Sequence, residues 1–188
     1  MQHPIGFIHG RFQVLHNDHL KYLLAGKRLC DHLIVGITNP TPDTIDEEVS
    51  NPERSEPMNN PLTFEERKAM IVAAFNEVGI RDHEYSVVPF PICKPELLRE
   101  TAPADAVYYL TIYDDWGREK EQRLKGLGLK THVMWERPPS EKGISGTDVR
   151  QAIRDDRDWQ SMVPPAVAEL VEAWNLQKRL SSSNSSGS

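Results

Sequence analysis

Two histidines near the start of the chain have the spacing and the setting that phosphate chemistry requires. His16 and His19 stand three residues apart where a helix is predicted to begin, so they share one face of that helix. The unpaired N–H groups and the dipole of a helix N-terminus favour an anion there. Two imidazoles in that position can donate hydrogen bonds to phosphate oxygens that gain charge in a transition state. A histidine pair alone is more often a surface or capping pair, so its place in the chain decides its meaning.

The residues before this pair place it at the edge of a predicted sheet. Gly10 and Arg11 follow the apolar run Ile5–His9, which predicts the first strand, and a helix is predicted from about His16 to Cys30. Proteins with α/β folds bind ligands at the carboxyl ends of their parallel strands. A glycine at this point lets a nucleotide approach the backbone. The segment therefore predicts a nucleotide site that includes Arg11.

A second segment, Gly143–Arg150, has the composition of a phosphate-binding loop. Ser145, Gly146 and Thr147 lead into a predicted helix, and Arg150 follows one turn later. Such a loop can surround a phosphate with N–H and hydroxyl groups while the Arg contacts the same anion. The alternative is an ordinary helix cap with a surface Arg. Two such loops in one small α/β domain favour the phosphate interpretation.

The elements that must position these loops alternate between strand and helix. This order predicts a Rossmann-like α/β fold, a parallel sheet with helices on both faces. The predicted strands are Ile5–His9, Leu33–Thr38, Tyr85–Phe90, Ala106–Ile112 and Lys130–Trp135. The predicted helices cover about 16–30, 63–78 and 116–125, with one more from about Thr147 and one from about Pro164 to Leu180. Thr63 and Glu66 form a capping-box pattern at the start of the second helix, and Gly79 closes it.

The composition is typical of one globular domain, which we expect to cover residues 1–180. The net charge of −6 argues against a broad nucleic-acid surface. No apolar run approaches the ~20 residues of a membrane span, and the N-terminus lacks the basic and apolar regions of a signal peptide. The two cysteines, Cys30 and Cys93, are too few for a disulfide framework and lack metal-ligand spacing. We therefore expect a cytoplasmic protein with reduced thiols.

Two segments interrupt the regular pattern. Residues 39–61 contain five prolines and are strongly acidic. Because long loops inside compact domains are usually functional or disordered, this segment is either a solvated insertion or a lid over a substrate. Residues 181–188 are Ser, Asn and Gly alone, which predicts a disordered tail or an interdomain linker.

Together these segments resemble the HxGH-type nucleotidyltransferases. Gly10–His19 resembles their GRFQPxHxGH signature, and Ile144–Arg150 resembles their ISSTxxR signature. Asn60–Ile71 is similar to the NPFTxxER…MI stretch of the archaeal-type nicotinamide-mononucleotide adenylyltransferases, and Trp159–Pro164 is similar to the DWxxLVP region of that subgroup. The resemblance covers nearly the whole chain, with the motifs in the expected order.

The resemblance implies a role for each matched residue. His16 and His19 would bind the α- and β-phosphates while Arg11 holds the triphosphate, and these three form the expected catalytic set. The residues expected at the β- and γ-phosphates are Ser145, Thr147 and Arg150. The other residues expected to bind nucleotide, at the strand edge and in the second loop, are Ile8, His9, Gly10, Phe12 and Gly146.

The resemblance also implies a reaction. A phosphate oxygen of the acceptor would attack the α-phosphorus of a nucleoside triphosphate in line, and pyrophosphate would leave without a covalent enzyme intermediate. Catalysis would come from positioning and charge stabilisation, with Mg²⁺ bridging phosphates and no confident metal ligand among the protein side chains. The expected partners are ATP or CTP and a phosphorylated small molecule, without nucleic acid or membrane, and a homo-oligomer is compatible with the sequence.

Two residues of the first signature depart from the family pattern. Val14 replaces the usual Pro, which alters the rigidity of the loop. Asp18 occupies the Gly position of HxGH, where a carboxylate repels phosphates unless it turns away, holds a metal or bonds a ribose hydroxyl. Alternatively, Asp18 only complements the positive end of the helix.

A third departure concerns the acceptor. The archaeal-type enzymes carry a Trp after the third strand that stacks on the nicotinamide ring, whereas Ile92–Leu98 contains no Trp. Trp116 follows the next predicted strand instead, either as a relocated stacking platform or as a core anchor. The residues expected to contact the acceptor are Asp18, Arg67, Asp114, Asp115 and Trp116.

Three functions are therefore in competition. The leading hypothesis is adenylyl transfer from ATP to nicotinamide or nicotinate mononucleotide, which is NAD biosynthesis. The second is cytidylyl transfer from CTP to a small phosphate or phosphonate, because related enzymes share both signatures and the pocket selects the base. The third is a nucleotide-binding sensor that has lost catalysis through Asp18, which the joint presence of His16, His19 and Arg150 disfavours.

Overall fold

The structure is a computed structural model that describes residues 2–42, 59–92, 94, 97–98 and 102–182. Its strands are β1 (His3–Gly10), β2 (Cys30–Ile37), β3 (Tyr85–Pro89), β4 (Val107–Ile112) and β5 (Lys130–Glu136). Its helices are α1 (Asn17–Lys27), α2 (Phe64–Glu77), α3 (Asp115–Gly126), α4 (Gly146–Arg154), α5 (Pro165–Ala173) and α6 (Leu176–Ser182). The predicted strands and helices are thus present, although α1 ends at Lys27 because Cys30 already belongs to β2.

All strand pairs of the sheet are parallel, and the strand order is β3-β2-β1-β4-β5. The chain first builds outward from β1 to β3, then returns to place β4 on the other side of β1. The carboxyl ends of β1 and β4 therefore meet at the point where the strand order reverses, which is where open α/β sheets bind ligands. The predicted α/β architecture is confirmed.

Neighbouring side chains of the central strands point to opposite faces and form two hydrophobic cores. Ile8 and Tyr109 belong to the larger core, which α1, α2 and the three C-terminal helices cover. Phe7 and Tyr108 belong to the smaller core, against which α3 packs through Leu124. Because the sheet is buried on both faces, the sequences of β1 and β4 are nearly continuous runs of apolar residues.

The helix α2 begins and ends where its sequence predicts. Thr63 Oγ1 accepts a hydrogen bond from the N–H of Glu66 (3.2 Å), and Glu66 Oε2 accepts one from the N–H of Thr63 (2.8 Å). This reciprocal pair satisfies two N–H groups that the helix itself cannot pair. Gly79 follows the helix with a φ of +80°, a conformation that glycine adopts without steric cost.

The C-terminal region differs from its prediction. The helix expected from Pro164 to Leu180 is two helices, α5 and α6, because Asn175 takes a left-handed φ of 49° between them. Asn tolerates that conformation better than most residues, so it ends a helix here without a Gly or Pro to signal the break. Ser181 and Ser182 belong to α6, and the rest of the predicted tail lies outside the described residues.

The predicted acidic loop can be placed only at its two ends. Asn39 and Asn59 are described, and residues 43–58 lie outside the described part of the chain, so neither interpretation of that loop is tested. Within the described residues, no helix is both long enough and apolar enough to cross a membrane.

Candidate active site

A cavity of about 370 Å³ opens at the carboxyl ends of β1 and β4, within the size range of ligand pockets. One part is the phosphate cradle, which we define as the cavity-lining residues of segments 11–19 and 143–147. The opposite part is the α3 end, which we define as His9, Thr111, Trp116 and Lys120. The other residues that line the cavity are Gly10, Tyr22, Asn59, Tyr113, Asp114, Gly117, Trp135 and Lys142. The cavity therefore brings together the two segments that the sequence singled out.

The chain leaves β1 through a tight turn around Phe12. Phe12 has a left-handed φ of 53° and is buried, with its ring directed back at Gly10. A Cβ on Gly10 would lie 2.9 Å from the Phe12 ring, so the side chain of Phe12 requires the glycine. From the sequence, Gly10 was predicted to let a nucleotide approach the backbone, and the packing of Phe12 is a second reason for a glycine at this position. The turn allows the chain to place the next residues above the sheet edge.

The two predicted histidines share one face of α1 and line the cavity, as expected. His16 is the N-cap of α1, and its Nδ1 accepts a hydrogen bond from the N–H of His19 (3.2 Å). The neutral ring of His16 therefore carries its proton on Nε2. The ring of His19 stacks on that of His16 with centroids 3.7 Å apart, and Phe12 meets His19 edge-on at 5.0 Å. Packing thus fixes both rings before any ligand binds.

Both histidines are neutral in the ligand-free protein. Burial lowers the pKa of His16 to about 4, although the carboxylates of Asp18 and Asp148 oppose the shift. Burial, with the positive charge of Arg11, brings the pKa of His19 well below its usual value. Neutral imidazoles can donate hydrogen bonds to a triphosphate without carrying a permanent charge in its absence.

The second segment, Gly143–Arg150, both caps a helix and lines the cavity, so it has features of the helix cap and of the phosphate-binding loop that the sequence analysis considered. Ser145 is the N-cap of α4, where its Oγ accepts from the N–H of Asp148 (3.2 Å) in a capping box. Ser145, Gly146 and Thr147 also line the cavity. A Cβ on Gly146 would lie 2.6 Å from the carbonyl oxygen of Gln13, so the glycine allows the second loop to pack directly on the first.

Asp18 joins the two loops of the phosphate cradle. Its Oδ2 accepts from the N–H of Ile144 (2.7 Å), and its Oδ1 accepts from Lys21 Nζ (2.7 Å). Although partial burial opposes it, these hydrogen bonds lower the pKa of Asp18. Gly143 lies against the carboxylate with a φ of +72°, and any Cβ there would collide with Oδ2. Asp18 therefore lines the cavity, as predicted, but both of its oxygens already have partners in the protein.

Arg150 and Ile8 are not placed where the sequence predicted. Ile8 lies in the larger core and does not line the cavity, because its side chain points to the face of β1 that α1 and α2 cover. Arg150 is 3% exposed and does not line the cavity either. Its guanidinium donates to the carbonyl of Gln13, to Asn59 Oδ1 (2.9 Å) and to Thr147 Oγ1 (3.2 Å). Arg150 therefore stabilises the phosphate cradle through hydrogen bonds to Gln13 and Thr147, on the side of the cradle that faces the protein interior.

Arg67 was expected to contact the acceptor, and the structure places it in the interior, away from the cavity. The side chain is 1% exposed and lies outside the cavity. Its nitrogens donate to the carbonyl oxygens of Thr63 (3.1 Å), Arg11 (3.0 Å), Thr38 (2.7 Å) and Asn39 (2.7 Å). Burial lowers the pKa of Arg67 to about 10, so it stays charged at neutral pH. Arg67 therefore fixes the segments that follow β1 and β2 to the start of α2.

The predicted acceptor residues around the start of α3 separate into two groups. Asp114 and Trp116 line the cavity: Asp114 caps α3 through the N–H of Gly117 (3.0 Å) and pairs with Lys142 (2.8 Å). Asp115 is exposed and lies in a neighbouring groove outside the cavity, so its contact with the acceptor stays a prediction. A helix turns side chains by about 100° per residue, which sends adjacent residues in different directions.

Several residues that line the cavity were missed by the sequence analysis. They are Gln13, Tyr22, Asn59, Thr111, Tyr113, Lys120, Trp135 and Lys142. Gln13 exchanges two hydrogen bonds of 2.9 Å with the backbone of Leu62, and Trp135 Nε1 donates to the hydroxyl of Tyr113 (2.7 Å). Thr111 could have been predicted to line the cavity, because it stands near the carboxyl end of a predicted strand. Lys120 could also have been predicted to line the cavity, because it follows Trp116 by one helical turn.

The described residues offer no group of three or more His, Cys, Asp or Glu side chains that could hold a metal ion. The cavity presents the cations Lys120, Lys142 and Arg11 and the carboxylates of Asp18 and Asp114. The cations can pair with phosphate oxygens.

The cytidylyltransferase-like family matches residues 7–152, which include both loops of the phosphate cradle. This chain belongs to the cytidylyltransferase-like family. The nucleotidyltransferase resemblance seen in its motifs is thereby confirmed. As a nucleotidyltransferase of this family, it takes a nucleoside triphosphate and a phosphate-bearing acceptor.

Individual relatives of this cytidylyltransferase-like chain differ in the nucleotide that their names imply. A phosphonoformate cytidylyltransferase from Streptomyces viridochromogenes is 49% identical over 93% of this chain and 94% of its own length. A nicotinamide-nucleotide adenylyltransferase from Thermococcus onnurineus is 26% identical over 89% of this chain and 81% of its own length.

Solved structures share the fold. A bifunctional NMN adenylyltransferase/ADP ribose pyrophosphatase from Francisella tularensis superimposes with a TM-score of 0.69 at 15% identity. The match covers 97% of this chain and 53% of the other, so this chain spans about half of the Francisella protein.

Proposed function

We propose that this protein transfers the cytidylyl group of CTP to a small phosphonate, with release of pyrophosphate. The observation that carries the proposal is the 49% identity, over nearly the full length of both chains, to a protein named for the cytidylyl transfer to phosphonoformate. The adenylyltransferase relatives match at about half that identity. The proposal replaces the sequence-based preference for adenylyl transfer with its cytidylyl alternative.

The cavity suits a compact acidic acceptor. The segment after β3 lacks the Trp on which a nicotinamide ring would stack. The aromatic side chains of Tyr113, Trp116 and Trp135 occupy the wall beside the cavity, and Lys120 and Lys142 supply positive charge. A short phosphonate acid can fill such a space, whereas a mononucleotide needs room for a base and a ribose as well.

The proposed reaction is a single in-line displacement. A phosphonate oxygen of the acceptor attacks the α-phosphorus of CTP and forms a new O–P bond. The bond between the α-phosphorus and the oxygen that bridges to the β-phosphate breaks, and pyrophosphate leaves with its electron pair. The attacking oxygen is already deprotonated at neutral pH, so the step needs no general base.

The residues of the phosphate cradle stabilise the charge that develops in this step. His16 Nε2–H and the ring of His19 donate hydrogen bonds to oxygens of the α- and β-phosphates. Arg11 offsets the charge of the leaving pyrophosphate, with Ser145 and Thr147 as further donors. Mg²⁺, when bound to the triphosphate oxygens, would neutralise part of their charge.

The test is a screen of ATP, CTP, GTP and UTP against phosphonoformate, methylphosphonate and nicotinamide mononucleotide. Pyrophosphate release is measured in each mixture, and the product is identified by mass spectrometry. We expect release with CTP and phosphonoformate and a product that contains both. Release with ATP and nicotinamide mononucleotide alone would restore the adenylyl hypothesis. Triphosphate binding without pyrophosphate release in any mixture would favour the sensor hypothesis.

A further inference from the structure

At the α3 end, His9 is buried without a hydrogen-bond partner. It is the penultimate residue of β1, it is 6% exposed, and its ring lies 5.2 Å from that of Phe90. Neither ring nitrogen has a partner among the described residues, yet the ring lines the cavity. Buried polar groups are nearly always paired, and leaving one unpaired costs free energy. A ligand that bonds to His9 would recover that cost.

The ring of His9 stays neutral over the physiological pH range. Burial lowers the pKa of His9 to about 3, and the positive charge of Lys120 contributes to the shift. A neutral imidazole has one N–H donor and one acceptor nitrogen. His9 therefore offers a directional hydrogen bond, while the charge at this end of the cavity comes from elsewhere.

Lys120 supplies that charge. Trp116 and Gly117, in the first turn of the 12-residue helix, line the cavity, and Lys120 lines it one turn later. Lys120 Nζ lies 5.9 Å from the centre of the Trp116 ring. The ammonium group of Lys120 favours an anion, whereas the N-terminus of α3 is already capped by Asp114, which accepts from the N–H of Gly117 (3.0 Å). The hydroxyl-bearing Thr111 at the end of β4 completes this wall of the cavity.

We propose that the α3 end binds the second acidic group of the acceptor, the carboxylate that accompanies its phosphonate. Lys120 pairs with the carboxylate, and the N–H of His9 donates to one of its oxygens. Holding the carboxylate here directs the phosphonate toward the phosphate cradle, where the α-phosphate of CTP lies. The inference rests on the proposed function and assigns the acceptor specificity of that site to His9 and Lys120.

The competing ligand for this end of the cavity is the base of the nucleotide. A cytosine ring could also bond to a neutral His, but it carries no negative charge with which Lys120 could pair. The charge at the α3 end therefore favours the carboxylate. The two assignments differ in which substrate a variant at this end would affect.

The test compares Lys120→Met and His9→Phe with the wild-type protein. The control Lys125→Met removes an exposed ammonium of α3 that pairs with Glu121 away from the cavity. Steady-state kinetics are measured for CTP, for phosphonoformate and for methylphosphonate, which lacks the carboxylate. Calorimetric binding of phosphonoformate is measured in parallel, because it requires no turnover, and melting curves verify that each variant folds.

We expect Lys120→Met and His9→Phe each to lower kcat/KM for phosphonoformate by about tenfold or more, since a charge-assisted hydrogen bond is lost. The KM for CTP and the kcat/KM for methylphosphonate should change by less than about twofold, and Lys125→Met should match the wild type. Equal losses for both acceptors, or a raised KM for CTP alone, would overturn the assignment. Absence of phosphonoformate binding to the wild type would overturn it as well.

The same experiment separates this inference from the proposed function. If the wild type binds phosphonoformate but transfers no cytidylyl group, the proposed function fails. The carboxylate site then stands if Lys120→Met and His9→Phe weaken that binding, and it fails if they do not. If transfer occurs and the variants are unaffected, the proposed function stands and the carboxylate site is wrong.

Discussion

In the phosphate cradle, Asp18 bonds to Ile144 and Arg150 bonds to the carbonyl of Gln13, so the loops hold each other without a ligand. At the α3 end, by contrast, both nitrogens of His9 are buried and unpaired among the described residues. The first region has paired the side chains that join its two loops, although His19 Nδ1 is buried without a partner there, whereas neither ring nitrogen of His9 is paired in the second. This difference supports the proposal that the phosphate cradle is preassembled for the chemistry of the family and that the α3 end selects the acceptor. Preassembled donors stabilise a transition state without reorganising.

The largest expected effect follows from removing the histidines of the phosphate cradle. His16→Ala or His19→Ala should lower kcat by on the order of 10²-fold or more, with a smaller effect on the KM for CTP, because their hydrogen bonds strengthen in the transition state. Steady-state kinetics of cytidylyl transfer check this. A loss of CTP binding with kcat unchanged would show that the pair acts on the ground state instead.

A tenfold effect is expected from separating the two loops of the phosphate cradle. Asp18→Gly removes the acceptor for the Ile144 N–H, and kcat/KM for CTP should fall by about tenfold, since a hydrogen bond to a charged group contributes ~1.5–3 kcal/mol. Asp18→Asn keeps an acceptor oxygen for that N–H and should lose less. The measurement is kcat/KM for CTP in each variant.

Two further variants control this experiment. Lys21→Met removes the exposed ion-pair partner of Asp18 but leaves its bond to Ile144, and it should behave like the wild type. Gly143→Ala forces a Cβ against the carboxylate and should resemble Asp18→Gly in its effect on CTP. Wild-type kinetics in both Asp18→Gly and Gly143→Ala would mean that the loops need no connection.

A third prediction concerns stability rather than catalysis. Arg67→Met removes four hydrogen bonds to backbone carbonyls and should lower the free energy of unfolding by on the order of 3 kcal/mol. Exposed Arg28→Met should change it by less than about 0.5 kcal/mol. Urea unfolding measures both values. If Arg67→Met instead raises the KM for the acceptor in a protein of unchanged stability, the sequence-based role of Arg67 was right.

The last prediction concerns the dependence of stability on pH. His9 and His16, with pKa values lowered by burial to about 3 and about 4, must take up protons on unfolding when the pH lies below 6.5. The unfolded state then binds more protons, so stability is complete above pH 6.5 and falls as the pH is lowered towards 4. The melting temperature of the wild type should decline over that range. His9→Phe should flatten the decline, and an unchanged slope would show that His9 is protonated in the folded protein.

The motifs could be found from the sequence because their spacing is local. His16 and His19 meet across one helical turn, and Thr63 caps the helix that holds Glu66. The roles of Arg67 and Arg150 could not be found, because their partners are carbonyl groups supplied by remote segments of the chain. The sequence position of an Arg does not show whether its guanidinium binds a phosphate or backbone carbonyl groups.

The α3 end was difficult to predict for another reason. His9 was expected to bind nucleotide because it precedes Gly10, and nothing in its neighbours showed that its ring would be unpaired beside Lys120. Lys120 enters the cavity only because β4 lies beside β1 in the sheet. Strand order is a property of the whole fold, and local patterns do not contain it.

The contact between Asp18 and Gly143 has a consequence for how this sequence can evolve. While a carboxylate occupies position 18, every residue with a Cβ is excluded at position 143. A drift from Asp18 to the glycine of the usual signature would lift that restriction, although the left-handed backbone at Gly143 would still select for glycine or asparagine. Homologues that share Asp at the first position should therefore share Gly at the second. The two positions are far apart in the chain but should covary among homologues.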